Sequence, residues 1–393
     1  MNQVMSIYER PLECRPDSYW EWYQLGSAMR DMRRYEDALA SYDRALEYQP
    51  QDYWTWYQIG NVLDELGRYE EAVASYDKAL QSRPKDYWAW YERGGSLLKR
   101  QCYDEAIASY DRALEIRPED YWAWYERGNT LGDASRYLEA AQSYETAIAI
   151  RPDDFWAWYR RADALNFAAR YEEAAICYDR AVELKPDAAR AWYRRGKVLD
   201  LLGDSLGAIA SYDRSLELDP EDYFVWYDRG IALQDCDAHA KAAASYEQAS
   251  LLRPESYWVW YQRGNALRHL GRYDEAIASY DRALECTPDW QHWGEEYERL
   301  TSWVWCSLGI ALTQLQRYDE AMRSFQKALT IHHQDPEIWY EQGRCYARQG
   351  ETEGAIACLQ EAIYIHPDEY RAIVAQNPEF EGLRADERFR SLM

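Results

Sequence analysis

The sequence predicts an all-α solenoid of about ten stacked helical hairpins, and three observations carry that prediction. The segment Asp86-Tyr87-Trp88-Ala89-Trp90-Tyr91-Glu92-Arg93-Gly94 returns nearly unchanged at Asp120 to Gly128. It returns more loosely at Asp52 to Gly60, Asp154 to Ala162, Asp222 to Gly230 and Ser256 to Gly264. Prolines fall at 16, 50, 84, 118, 152, 186, 220, 254 and 288, each 34 residues after the last. Between them apolar residues recur at helical spacing, so one two-helix unit is repeated along the chain.

Residues 51–84 serve as the template. Asp52 is placed as an N-cap, its carboxylate able to accept from free backbone N–H groups. The same slot holds Ser18, Asp86, Asp120, Asp154, Asp222, Ser256, Thr301 and Asp335, with Ala188 the exception. A first helix is expected over about 53–66, with Tyr53, Trp56, Gly60 and Leu63 on one face. Gly67 is expected to stop it as a left-handed cap. The second helix begins near Glu70-Glu71, acids at the positive end of the helix dipole. Ala72, Tyr76 and Ala79 give it an inner stripe, and Pro84 forbids its continuation. Gly60 sits in mid-helix, where glycine costs roughly 1 kcal/mol relative to alanine. Its slot is nevertheless glycine in every repeat except at Ala162. That recurrence predicts close approach of the partner helix at Ala72. The tryptophan of the Trp56 slot is assigned to the core.

This spacing (Trp56, Ile59, Gly60, Leu63, then Tyr69, Ala72, Tyr76, Ala79 and Pro84) resembles the tetratricopeptide repeat over residues 17–367. The resemblance implies a right-handed superhelix whose first helices line a concave groove, and a role in binding other proteins. Residues 17–288 make eight regular repeats. Residues 289–335 make a ninth with an insertion of 11, and 336–367 a degenerate tenth. Residues 1–16, through Tyr8 and Leu12 to Pro16, read as the second helix of a truncated repeat or an N-terminal cap, interrupted by Pro11. The insertion brings Trp290, Gln291, His292, Trp293 and Gly294. It is either a lengthened first helix or a projection over the groove mouth. Residues 368–393 read as C-terminal caps, with Phe380, Leu383, Phe389 and Leu392 as the stripe of a last short helix.

The groove candidates follow from the slots opposite Leu63 on the first helix. Tryptophan recurs at Trp54, Trp88, Trp122, Trp156 and Trp258, with Trp20, Trp303 and Phe224 in the same slot. Tyrosine recurs at Tyr57, Tyr91, Tyr125, Tyr159, Tyr193 and Tyr261. Aromatic surface this extensive marks a binding face, unless the rings pack edge to face between repeats and only stiffen the array. Arg93, Arg127, Arg161, Arg195, Arg229 and Arg263 occupy an apolar slot and are expected to reach interhelical carboxylates, within a repeat or in the preceding one. The sixth repeat breaks the ladder with Ala189-Arg190, then Arg194 and Lys197, with Arg160 one repeat earlier. Arg190, Arg194 and Asn129 occupy slots of the family's carboxylate-clamp repeats, while Tyr125 and Arg160 depart from that pattern. These residues are expected to anchor an acidic side chain or terminus, or else to pair locally.

Lys plus Arg is 45 and Asp plus Glu is 69, a net charge of −24. Such a surface repels phosphate backbones and anionic membranes, so neither nucleic acid nor membrane is expected as a partner. The eight cysteines fall at unrelated slots and never as Cys-x-x-Cys. That pattern suggests no disulfide framework and no metal site, and it fits reduced thiols in the cytoplasm. The six histidines share no ligand spacing, and no catalytic motif or cofactor-binding loop is legible. The sequence therefore reads as a non-enzymatic scaffold or adaptor without cofactor. It is expected to bind a protein or peptide with basic residues and an acidic anchor. A regulatory array of a larger signalling or enzymatic protein, and a carbohydrate-binding groove, are the alternatives.

Overall fold

A computed structural model describes residues 16–286 and 294–393. The expectations for residues 1–15 and for Trp290, Gln291, His292 and Trp293 lie outside the described residues, as do those for the side chains of 294–297. Among the described residues all regular structure is helical. The first helices are Tyr19–Asp31, Tyr53–Glu65, Tyr87–Lys99, Tyr121–Asp133 and Phe155–Phe167 in one compact unit, which ends at Asp187. The second unit, from Ala188, has Ala189–Leu201, Tyr223–Asp235, Tyr257–His269, Gly294–Gln314 and Pro336–Gln349. Each is followed by its second helix, for example Tyr69–Ser82 after Tyr53–Glu65 and His239–Leu252 after Tyr223–Asp235. No helix among the described residues is long and apolar enough to cross a membrane.

Local chemistry sets the helix ends largely as the sequence indicates. Asp52, Asp86, Asp120 and Asp154 each accept the backbone N–H three residues on, at 2.7–3.0 Å. Thr301 departs from expectation. It lies inside the 21-residue helix Gly294–Gln314, so the insertion lengthens the ninth repeat's first helix. The stop after the first helix is a left-handed residue in each repeat, yet glycine supplies it only at 67, 203, 271 and 350. Arg33, Gln101, Ser135, Ala169, Asp237 and Gln316 take φ of 55–61° in that slot. A side chain there costs roughly 1–2 kcal/mol, so the hairpin geometry, more than the residue, dictates the turn.

The inner stripe is buried as predicted, with Ala72, Tyr76 and Ala79 at the heart of the hairpin. The reason for the mid-helix glycine differs from expectation. A Cβ at Gly60 would stand 2.6 Å from the Tyr76 ring, and one at Gly128 2.7 Å from Tyr144. The ring four residues beyond Ala72 demands the glycine, not the helix backbone at Ala72. The Trp56 slot also corrects the sequence reading, because these indoles are half-buried. Their Nε1–H donates to the carbonyl of the previous repeat's closing proline: Trp56 to Pro50 at 2.8 Å, Trp90 to Pro84 at 2.9 Å and Trp260 to Pro254 at 2.8 Å. They staple one repeat to the next.

Two further contacts fix neighbouring repeats. Tyr19 donates its hydroxyl to the Asp52 cap at 2.8 Å. Burial, then the bond to that carboxylate, outweighs the bond with Thr55 and pushes the Tyr19 phenol up to about 12. Arg93 Nε donates to Asp77 of the preceding repeat at 2.7 Å, and its Nη1 to Ser109 Oγ at 2.7 Å. Arg127 repeats this on Asp111 and Ser143, and Arg229 on Asp213 and Ser245. Asp111, 18 residues after Arg93, thus serves Arg127 of the next repeat, which is the pairing with the preceding repeat.

Candidate functional site

The first-helix face of the first unit presents an exposed row of indoles. Trp20, Trp54, Trp88, Trp122 and Trp156 are 48–57% exposed, one per successive repeat. None is wedged shut between repeats. Each indole from Trp54 on also has a cation beside it, drawn from the residue before its own repeat's closing proline. Arg83 lies 5.1 Å from the Trp54 ring, Arg117 5.4 Å from Trp88, and Arg151 5.6 Å from Trp122. The same guanidiniums sit closer to the neighbouring tyrosine, Arg117 being 4.4 Å from Tyr87. In the second unit Phe224 is exposed, Trp303 less so, and Trp258 is half-buried.

The tyrosines of the groove slot stand differently. Tyr57, Tyr91, Tyr125, Tyr193 and Tyr261 are half-buried, and Tyr159 is buried. Tyr91 packs edge-on to Tyr110 at 5.7 Å, stacks with Tyr87 at 5.8 Å and meets Trp88 at 83°. Tyr125 does the same with Tyr144, Tyr121 and Trp122. The edge-to-face packing therefore runs within a hairpin, not between repeats as the alternative reading had it. The tyrosines form the floor on which the exposed indoles stand.

The polar candidates are drawn into local bonds to different degrees. Asn129 accepts the Tyr144 hydroxyl at 2.7 Å and donates to Glu126 at 3.2 Å. Arg160 is exposed and hydrogen-bonded to the Tyr125 phenol. In the second unit Lys197 Nζ lies 3.2 Å from Asp228, which also accepts the Tyr193 hydroxyl at 2.8 Å. Lys197 thus takes the local pairing. Arg190 is exposed and Arg194 half-buried.

A feature the sequence did not reveal lies at repeat 10. After the helix Pro367–Gln376, the chain breaks at Asn377-Pro378 and folds back as the 3-10 turn Pro378–Leu383 onto the helix Pro336–Gln349. It lands on the groove slots of that repeat. Tyr340 stands in the Tyr57 slot, Arg344 in the Asn61 slot and Arg348 in the Glu65 slot. Asn377 Nδ2 donates to the Tyr340 hydroxyl at 2.7 Å, and Phe380 packs on the Tyr340 ring at 5.9 Å. Arg344 grips Glu379 through Nε at 2.7 Å and Nη2 at 3.2 Å, and Arg348 Nε joins at 2.9 Å. These guanidiniums outweigh burial and hold the Glu379 carboxyl below its usual range. The stripe expected on one short capping helix is split instead: Phe380 and Leu383 are buried from the 3-10 turn, and Phe389 from the separate helix Glu387–Leu392. The signal in the sequence was the pair Arg344 and Glu379, 35 residues apart in a chain that pairs charges across repeats.

A second recurring contact joins the start of one second helix to the end of the next first helix. It is Tyr35 with Glu65, Tyr69 with Lys99, Tyr137 with Phe167 and His239 with His269. The two imidazoles stack at 4.6 Å and 17°, with Arg268 beside them and Asp237 3.8 Å from His239. Burial first, then Arg268 and His239, lowers the His269 pKa. A lowered folded value means the unfolded chain takes the proton first. This contact's stability is complete above the ordinary histidine value and is lost as pH falls through the folded one. Replacing both residues by the Tyr–Phe pair of repeats 4 and 5 (H239Y with H269F) is expected to remove that dependence. Thermal melts should show the variant's advantage over wild type growing between neutral pH and about pH 5.5.

Comparison with known proteins bears on the repeat fold. Family models described as tetratricopeptide repeat match residues 23–87, 57–121, 125–183 and 167–223, then 255–334, then 312–376. Among solved structures the chain is similar to the C-terminal part of a TPR repeat-containing protein from Cytophaga hutchinsonii. That match has 16% identity and a TM-score of 0.54 over 63% of this chain and 97% of the other. YrrB, titled a TPR protein with an unusual peptide-binding site, matches at 23% identity and TM-score 0.42, over 51% of this chain and 98% of its own. Yeast Tom70 matches at 15% and 0.39, over 95% and 97%. At these identities the likeness concerns the fold. Comparison with curated proteins gives no match.

Proposed function

Because the chain belongs to the tetratricopeptide repeat family, we propose that it is a non-enzymatic scaffold that captures a peptide segment of a partner protein on its first-helix face. The observation that carries this reading is the fold-back at repeat 10. There the chain's own residues 377–383 lie across the groove slots, an aromatic ring on Tyr340 and a carboxylate between Arg344 and Arg348. In repeats 1 to 5 those slots stand beside a row of exposed indoles in the neighbouring Trp54 slot, which is Glu337 in repeat 10. Trp54, Trp88, Trp122 and Trp156 supply apolar contact, and Tyr57, Tyr91, Tyr125 and Tyr159 brace them from below. In the second unit, taken by itself, Arg190 and Arg194 are the anchors for an acidic group of a partner. The net charge of −24 favours a segment that also carries basic residues.

Random peptides displayed on phage and selected against the whole protein test this. Enriched peptides are expected to lose about tenfold or more in affinity for the double variant Trp88→Ala/Trp122→Ala, as central aromatic contacts do. Both side chains are half exposed, so the variant keeps its fold and its melt. Selection of the same peptides, with unchanged affinity, by the double variant would end the reading.

A further inference from the structure

Within a repeat array, stacking explains the residues that recur, and the exceptions need another cause. Three residues from slots that vary along the array meet in one cleft of about 430 Å³ between the first helices of repeats 3, 4 and 5. Gly132 holds a slot that is Asp64 in repeat 2, and a Cβ there would meet nothing within 4 Å. Phe167 holds the slot of Glu65, Lys99 and Asp133 and is 59% exposed, its ring stacked on Tyr137 at 5.2 Å and 25°. Arg160 holds the slot of Glu92 and Glu126. Glu126, Asp133 and Asp163 line the cleft against the single guanidinium of Arg160, whose hydrogen bond goes to Tyr125.

We infer that this cleft takes a lysine or arginine side chain of the bound segment, an inference that rests on the peptide-capture reading above. A cation entering it meets an aromatic face at Phe167 and an exposed carboxylate at Asp133, the two partners a guanidinium uses together. The chain provides its own template for such recognition. In repeat 10 the Asn61 and Glu65 slots are Arg344 and Arg348, and they hold a carboxylate. In repeats 4 and 5 the same slots are Asn129 and Asp133, then Asp163 and Phe167. Asp163 thus stands where repeat 10 has Arg344, and Asp133 where it has Arg348, so each of these repeats offers a carboxylate at one slot where repeat 10 offers a guanidinium. In the corresponding cleft over repeats 1 to 3 a lysine, Lys99, holds the Phe167 slot, so the aromatic face is missing from that position. There Asp64 is tied to Lys99 and to Ser96, the latter at 2.6 Å.

The phage selection described above supplies the probe, one enriched peptide and its copy with each arginine replaced by citrulline or lysine by norleucine. Three proteins are titrated with both: wild type, Asp133→Asn/Phe167→Ala, and the charge control Glu70→Gln, whose side chain lies exposed on a second helix. Enriched peptides are expected to carry Lys or Arg. The neutral copy and the cleft variant should each weaken binding about tenfold, and Glu70→Gln should leave it unchanged. Peptides that depend on Trp88 and Trp122 but lack basic residues, or that bind the cleft variant as tightly as wild type, overturn this inference and leave peptide capture standing. Equal weakening by Glu70→Gln also overturns it, since that reports net charge alone. A selection that enriches nothing, or enriches the same sequences on the tryptophan variant, removes both.

Discussion

Replacing Arg344 with methionine is expected to cost about 3 kcal/mol of stability and to free residues 377–383 from repeat 10. The guanidinium bridges two acids on different elements. Nη1 donates to both oxygens of Glu341 at 2.8 and 3.0 Å, while Nε and Nη2 hold Glu379. Glu341 is buried, and that burial, only partly offset by Arg344, raises its carboxyl above the usual range. Removing the arginine leaves this charge uncompensated, a change that costs roughly 3–5 kcal/mol at fully buried pairs. The lower end applies because Arg344 itself is partly exposed and Arg348 still holds Glu379. Urea denaturation measures the loss, and hydrogen exchange at 378–383 measures the release. The sign with pH is fixed. In the variant Glu341 ionises only above a further raised folded value, so the deficit is present at neutral pH and shrinks as the medium is acidified through that value. Glu341→Gln in the same chain should recover part of it. A loss under about 1 kcal/mol at pH 7 would contradict the burial argument.

Gly230→Val is expected to destabilise the second unit by about 3 kcal/mol, the top of the ordinary overpacking range. A Cβ at 230 would stand 2.5 Å from Tyr246 Cε1 and 2.6 Å from Cζ. The ring has nowhere to go, since Tyr246 is wholly buried and rests against Tyr227 at 5.9 Å. Repeat 5 shows how much room the design allows. There Ala162 replaces the glycine and Tyr178 remains buried over it, its hydroxyl on Asp163. One methyl is thus accommodated where the whole hairpin has adjusted, and a branched side chain is not. Pairing Gly230→Val with Tyr246→Ala should cost less than the sum of the two, because the second change removes the clashing ring. Strict additivity in urea denaturation would place the strain elsewhere.

The hairpin fold was legible because its determinants are local and repeated. Asp52-type caps, the Ala72, Tyr76, Ala79 stripe and the 34-residue proline step each name their own structural role. The exposure of the Trp54 slot was legible too, from helical geometry alone. Other roles were hidden because they belong to pairs of residues. Nothing in the string distinguishes the half-buried, proline-stapling Trp56 from a core tryptophan, since both follow the same period. Nor does it say that Tyr76, and not the Ala72 backbone, crowds Gly60. The left-handed slot at Arg33 or Gln101 carries no glycine to announce it. The fold-back at Asn377 was hidden for the same reason, its one signal being the spacing of Arg344 and Glu379. Its partners Tyr340 and Arg344 sit where a repeat consensus leaves polar and aromatic residues equally at home.

The indole staple has a bearing on how this chain is made. Trp90 donates backward to Pro84, and Arg93 backward to Asp77. For these two contacts a hairpin leaving the ribosome brings its donors to acceptors that have already emerged, while a tyrosine such as Tyr19 waits only for the cap of the next repeat. Within each unit the array can add hairpins in the order they are translated, with no wait for distant sequence.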